Sequence, residues 1–79
     1  MLKRLDEMKV GETGHVKKVR GEGRLRRRIF DMGVTPGVKV YLKRVAPLGD
    51  PLEITIRGYE LSLRKTEAEF IDVEVEDAK

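Results

Sequence analysis

Between Arg24 and Val40 the apolar period changes from helical to extended within a few residues. Leu25, Ile29 and Met32 fall at i, i+4 and i+7, the spacing of one helical face. Gly33 follows, where a helix favours a left-handed C′ residue. Pro36-Gly37 then suits the two central positions of a type II turn. Val38, Val40 and Leu42 alternate with Lys39, Tyr41 and Lys43, the period of a half-buried strand. A chain with this order must turn a helix into a sheet at one tight corner. A helix of about two and a half turns is not stable alone. Docking of the Leu25, Ile29, Met32 face has to hold it, and that docking leaves Arg24, Arg27, Arg28 and Asp31 pointing elsewhere.

The flanking segments read as more short strands. Leu5 and Met8 suit a single helical turn before Gly11. Thr13 to Arg20 reads as a strand, and the spacing of Val16 and Val19 breaks alternation, which predicts a bulge near Lys17-Lys18. Ala46 to Pro51 is a loop with two prolines and a glycine. Leu52, Ile54 and Ile56 alternate with polar residues, as do Leu61 and Leu63 after Gly58. These two segments read as a hairpin. A Gly58-Tyr59 loop of type II′ pairs Arg57 with Glu60 and Glu53 with Arg64. An Arg57-Gly58 loop also keeps the apolar residues together but asks Arg57 for a positive φ. The first register is the preferred expectation. Thr66 with Glu69 reads as a capping box for one short turn. Ile71, Val73 and Val75 alternate in a final strand, and 76–79 is expected to be a frayed tail.

The sum is a mainly β single domain over 1–79. About five short strands form a small partial barrel, with one short α-helix between the first two. SH3-like and OB-like barrels are the candidates. The expected core is Leu25, Ile29, Met32, Val40, Leu42, Ile54, Ile56, Leu61 and Leu63.

At 79 residues the chain buries only about 60–65% of the surface its unfolded form exposes, so it has little room for a deep, dry pocket. It has no cysteine, which removes disulfides and thiolate metal sites. His15 is the single histidine, and no base stands at a useful spacing from Ser62. We read the chain as non-catalytic, with no cofactor and no metal site. The Gly21 to Leu25 segment feeds a helix N-terminus, but it lacks the pattern of a nucleotide-binding loop. No apolar run approaches the roughly 20 residues of a membrane span, and the N-terminus lacks the apolar stretch of a signal peptide. We therefore expect a cytoplasmic protein without membrane insertion.

Charge is distributed unevenly. Lys17, Lys18, Arg20, Arg24, Arg26, Arg27 and Arg28 crowd one stretch, with only Glu22 against them. Glu67, Glu69, Asp72, Glu74, Glu76 and Asp77 crowd the other end. Either the two ends neutralise each other in the fold, or the basic face meets an acidic partner. Nucleic-acid phosphate is the alternative partner. Against it, Phe30, Tyr41, Tyr59 and Phe70 do not interleave with the arginines as base-stacking residues would. Edge-to-edge self-association is a further option for a sheet with open edges.

The segments GETGHVKKVRGEG, RLRRRIFDMGVTPGVKV, APLGDPLEI and RGYELSLRKTEAEFI together resemble the FeoA family, over about Leu5 to Val75. FeoA proteins are small cytoplasmic companions of the ferrous iron transporter FeoB. The resemblance implies an SH3-like barrel and a non-catalytic accessory role in Fe(II) uptake, through contact with the cytoplasmic, GTP-binding part of FeoB. It carries over no iron ligands. The partner-binding candidates left on the surface are Arg24, Arg27, Arg28, Pro47, Leu48, Asp50 and Tyr59.

Overall fold

The computed structural model describes residues 1–76. Its elements run β1 (Leu2–Arg4), a 3₁₀ turn (Leu5–Glu7), β2 (Thr13–Val19), α1 (Gly23–Asp31), β3 (Lys39–Val45), β4 (Leu52–Ile56), β5 (Tyr59–Leu63), α2 (Lys65–Ala68) and β6 (Ile71–Val75). The strands form one sheet in the order β1-β6-β2-β3-β4-β5 with every neighbour antiparallel. The mainly β architecture is the expected one.

The strand count is six rather than about five, so α1 joins the second and third strands. Leu2, Lys3 and Arg4 form the extra strand. They carry no apolar alternation, because backbone pairing to Glu74, Val73 and Asp72 of β6 holds them instead of a buried face. Leu2 stays exposed. The N-terminal amine adds a contact to Glu74 at 2.6 Å.

One face of the sheet is buried. Val16, Val19, Val40, Leu42, Leu52, Ile54, Ile56, Leu63, Ile71, Val73 and Val75 supply it, with Leu5, Met8, Ile29, Val34 and Ala68 closing over it. Of the core expected from the sequence, Leu25, Met32 and Leu61 are only half-buried and pack at its margin. The bulge in β2 occurs where it was expected: pairing with β6 shifts between Val16 and Lys18, and both valines reach the core. Gly14 permits the close approach of β2 to β6. A Cβ there would lie 2.5 Å from the Glu74 carbonyl oxygen and 2.7 Å from a Val73 methyl.

Two local expectations are corrected. The β4–β5 turn is Arg57-Gly58, not Gly58-Tyr59: Ile56 pairs with Tyr59 and Ile54 with Leu61. Both turn residues have positive φ, 51° at Arg57 and 83° at Gly58, the requirement of a type I′ turn. The reason lies outside the hairpin. In this register the Arg57 guanidinium donates to the Gly33 carbonyl at 3.1 Å and to Thr35 Oγ1 at 3.0 Å. The Tyr59 hydroxyl donates to the Met32 carbonyl. Glu60 and Glu53 find their cations on β3, as Lys43 and Arg44, rather than across the hairpin.

The second correction is α2. Its capping carboxylate is Glu67, which accepts from the Arg64 backbone N–H at 2.9 Å. The N-cap is therefore Arg64, two residues before Thr66, and the helix begins at Lys65. Glu67 is 6% exposed, and this start is the one that turns its side chain inward. Of the expected frayed tail, Glu76 is tied by its N–H to the Thr13 carbonyl at 2.8 Å. Residues 77–79 lie outside the described residues. Among the described residues no helix is long and apolar enough to cross a membrane.

Candidate functional site

α1 is placed by its C-terminal corner. The Gly33 N–H donates to the Phe30 carbonyl at 2.9 Å and the Val34 N–H to the Ile29 carbonyl at 3.2 Å. These are the two bonds of a Schellman cap. Gly33 has φ 95°, and any Cβ there would meet the Tyr59 hydroxyl at 2.7 Å. Ile29 and Val34, the apolar pair that accompanies the cap, are fully buried. Arg57 and Tyr59 from the β4–β5 turn then satisfy the carbonyls left beyond it, with the cation at the negative end of the helix. A glycine-bearing hairpin thus fixes how the arginines of α1 face solvent.

The arginines have different fates. Arg26 folds back: its Nε donates to the Val19 carbonyl at 3.2 Å and its guanidinium lies 4.5 Å from the Phe30 ring centre. Arg28 pairs with Glu67 at 3.2 Å, joining α1 to α2. Arg24 and Arg27 are exposed and have no hydrogen bond or ion pair among the described residues.

The Ala46–Pro51 loop is the second part. The Gly49 N–H donates to the Ala46 carbonyl at 2.7 Å and the Ala46 N–H to the Pro51 carbonyl at 3.0 Å. Asp50 Oδ1 accepts from the Lys65 N–H at 3.0 Å, tying the loop to the first residue of α2. Pro47 is exposed, and Leu48 at the tip is 97% exposed.

The short helix α2 is therefore the link between the two groups of candidates. On one side it holds Arg28 through Glu67; on the other it holds Asp50 through Lys65. Arg28, and the loop that carries Pro47, Leu48 and Asp50, are both tied to this element, and Arg24 and Arg27 stand with Arg28 on α1. Tyr59 is not part of this group: its hydroxyl is committed to the far end of α1. Sequence reasoning missed Lys65 and Glu67 as the connecting residues. The available signal was a glutamate three residues after Arg64, which competes with the Thr66-Glu69 pair.

The acidic C-terminal segment is largely matched within the sheet. Asp72 binds Arg20 at 3.0 Å and stands opposite Lys18. The N-terminal ammonium beside Glu74 holds that carboxyl below its ordinary range, by hydrogen bond first and charge second. So the fold pairs Arg20 just beyond β2 but leaves Arg24 and Arg27 without an ion pair among the described residues.

Ser62 lies on β5 and His15 on β2, with β3 and β4 between them. His15 is exposed, its Nδ1 3.9 Å from Glu76. Among the described residues no three His, Cys, Asp or Glu side chains are grouped to hold a metal ion.

The FeoA domain family model matches residues 3–75. A Porphyromonas gingivalis fusion of Fe(2+) transport protein A with the Fe(2+) transporter FeoB is 38% identical over 72 residues. That match covers 91% of this chain, which spans only 8% of the length of the fusion protein. The solved FeoA-like protein of Clostridium acetobutylicum is 41% identical with a TM-score of 0.89, covering 95% of this chain and 87% of that one. The zinc complex of Stenotrophomonas maltophilia FeoA, described as a prokaryotic SH3 domain protein, is 24% identical with a TM-score of 0.76. It covers 94% of this chain and 89% of its own, and supports the SH3-like fold. By the family match over nearly its whole length, and by the identity to these relatives, the chain belongs to the FeoA domain family.

Proposed function

We propose that this chain is a non-catalytic accessory protein of ferrous iron uptake. It docks on the cytoplasmic, GTP-binding part of a FeoB-type transporter and modulates it. The observation that carries the reading is the fusion relative, in which a segment similar to this chain and the transporter share one polypeptide. Physical linkage of that kind raises the effective concentration of a contact the separate chains would make by diffusion. The docking face is α1 with α2 and the Ala46–Pro51 loop.

Arg24 and Arg27 support this choice because neither has a partner among the described residues. Exposed cations of this kind steer association with an acidic surface and fix its register. The test is a titration of the purified full chain against full-length FeoB in nanodiscs. Arg24→Glu with Arg27→Glu should weaken binding at least about tenfold, the loss expected when rim charges are reversed. Its unfolding midpoint should stay unchanged. Equal affinity for the double variant removes the helix face from the reading.

A further inference from the structure

Leu48 is a leucine whose side chain the fold makes no use of. It is 97% exposed, whereas Leu5, Leu42, Leu52 and Leu63 are buried. A single exposed apolar residue is ordinary on a protein surface. What distinguishes this one is how its backbone is held. The Gly49 N–H to Ala46 carbonyl bond makes 46–49 a β-turn, with Pro47 at the position that favours proline and Leu48 next to it at the tip. The Ala46 N–H to Pro51 carbonyl bond closes the loop behind that turn. Asp50 ties the loop to Lys65. Leu48 is thus presented on a braced loop, so little ordering of the backbone remains to be done on binding. Preorganisation of this sort is what lets one side chain contribute strongly to affinity.

The surroundings define what it fits. Lys65, whose N–H meets Asp50, has no partner for its ammonium among the described residues. On α1, which the Arg28–Glu67 pair joins to α2, Arg24 and Arg27 are also unpaired among the described residues. An apolar tip on a loop tied to Lys65, the first residue of a helix that is itself joined to the arginine-bearing α1, is complementary to an apolar pocket bordered by carboxylates. A single leucine with the Asp50 carboxylate two residues away offers a poor insertion surface for a lipid bilayer, which favours a protein pocket.

Resting on the docking reading above, we propose that Leu48 is the anchor of the contact. It inserts into a leucine-sized apolar pocket, bordered by acidic side chains, on the cytoplasmic part of the transporter. The loop supplies burial; the arginines and Lys65 supply steering and register.

The experiment compares wild type, Leu48→Ser and Leu48→Met full chains for binding to full-length FeoB in nanodiscs, with empty anionic nanodiscs in parallel. Losing a fully buried leucine corresponds to about a ten- to hundredfold weaker affinity for Leu48→Ser. Leu48→Met, of similar volume, should stay within about threefold of wild type. Unfolding midpoints should be equal for all three, since the side chain has no intramolecular role. If Leu48→Ser binds like wild type while the Arg24→Glu, Arg27→Glu variant does not, the anchor is refuted and the docking reading stands. If wild type fails to bind FeoB, both fall together. Equal binding to empty anionic nanodiscs, lost in Leu48→Ser, overturns the protein pocket in favour of a lipid surface.

Discussion

Replacing Arg57 by glycine and, separately, by alanine separates two opposing contributions at the β4–β5 turn. Arg57 sits at φ 51°, a left-handed conformation that costs a non-glycine residue about 1–2 kcal/mol. Its guanidinium offsets that strain with bonds to the Gly33 carbonyl and Thr35 Oγ1, at 3.1 and 3.0 Å. Arg57→Ala loses both bonds and keeps the strain, so a net loss of about 1–2 kcal/mol is expected for two exposed bonds. Arg57→Gly loses the same bonds but releases the strain. In regular backbone glycine is the less stable of the two by about 0.5–1 kcal/mol, because the unfolded chain gains freedom. Here the released strain exceeds that term, and the glycine variant should be more stable than the alanine variant by about 0.5–1 kcal/mol. Urea denaturation at constant m reads the difference as a higher midpoint for glycine. In a domain of this size the thermal midpoint should rise by about 2–8 °C. Alanine equal to or above glycine would mean that Arg57 is not in the turn. The hairpin would then have the Gly58-Tyr59 register, and its grip on α1 would be absent.

Gly14→Ala places a Cβ 2.5 Å from the Glu74 carbonyl oxygen and should destabilise by about 1–3 kcal/mol through forced separation of β2 and β6; chemical denaturation measures it. Acid stability has a defined sign. The Lys9 N–H, at 2.7 Å, and then the Lys3 ammonium hold the Glu12 carboxyl below its ordinary value of 4.5. A carboxyl lowered in the folded state stabilises at neutral pH, and that stability is lost as pH falls from about 4.5 through the lowered value. Urea midpoints should be flat down to the ordinary carboxylate range and fall below it, less steeply in Glu12→Gln.

Much of the fold was legible because α1 and four of the strands carry their own apolar period. The Schellman corner at Gly33 and the bulge between Val16 and Lys18 followed from local rules alone. What was not legible depended on partners remote in sequence. β1 is held by backbone pairing that leaves no side-chain pattern. The hairpin register is decided at Met32, Gly33 and Thr35, more than twenty residues away from Arg57. The start of α2 had a local signal in Glu67, three residues after Arg64, but the pairing of Glu67 with Arg28 is a tertiary contact. The candidate site divides the same way. Arg24, Arg27 and Arg28 could be placed on a helix face from spacing. The full exposure of Leu48, the bracing of its loop and the commitment of Tyr59 to α1 are tertiary facts.

The central claim is that α1, α2 and the Ala46–Pro51 loop form one docking face for the transporter. The most direct measurement titrates the isotope-labelled full chain with full-length FeoB in nanodiscs and follows amide signals residue by residue. The account predicts loss of intensity concentrated at Arg24 to Arg28, Leu48 to Asp50 and Lys65, with the sheet's outer face at Lys39 to Lys43 less affected. Uniform retention of signal, or loss centred on Lys39 to Lys43, would contradict it.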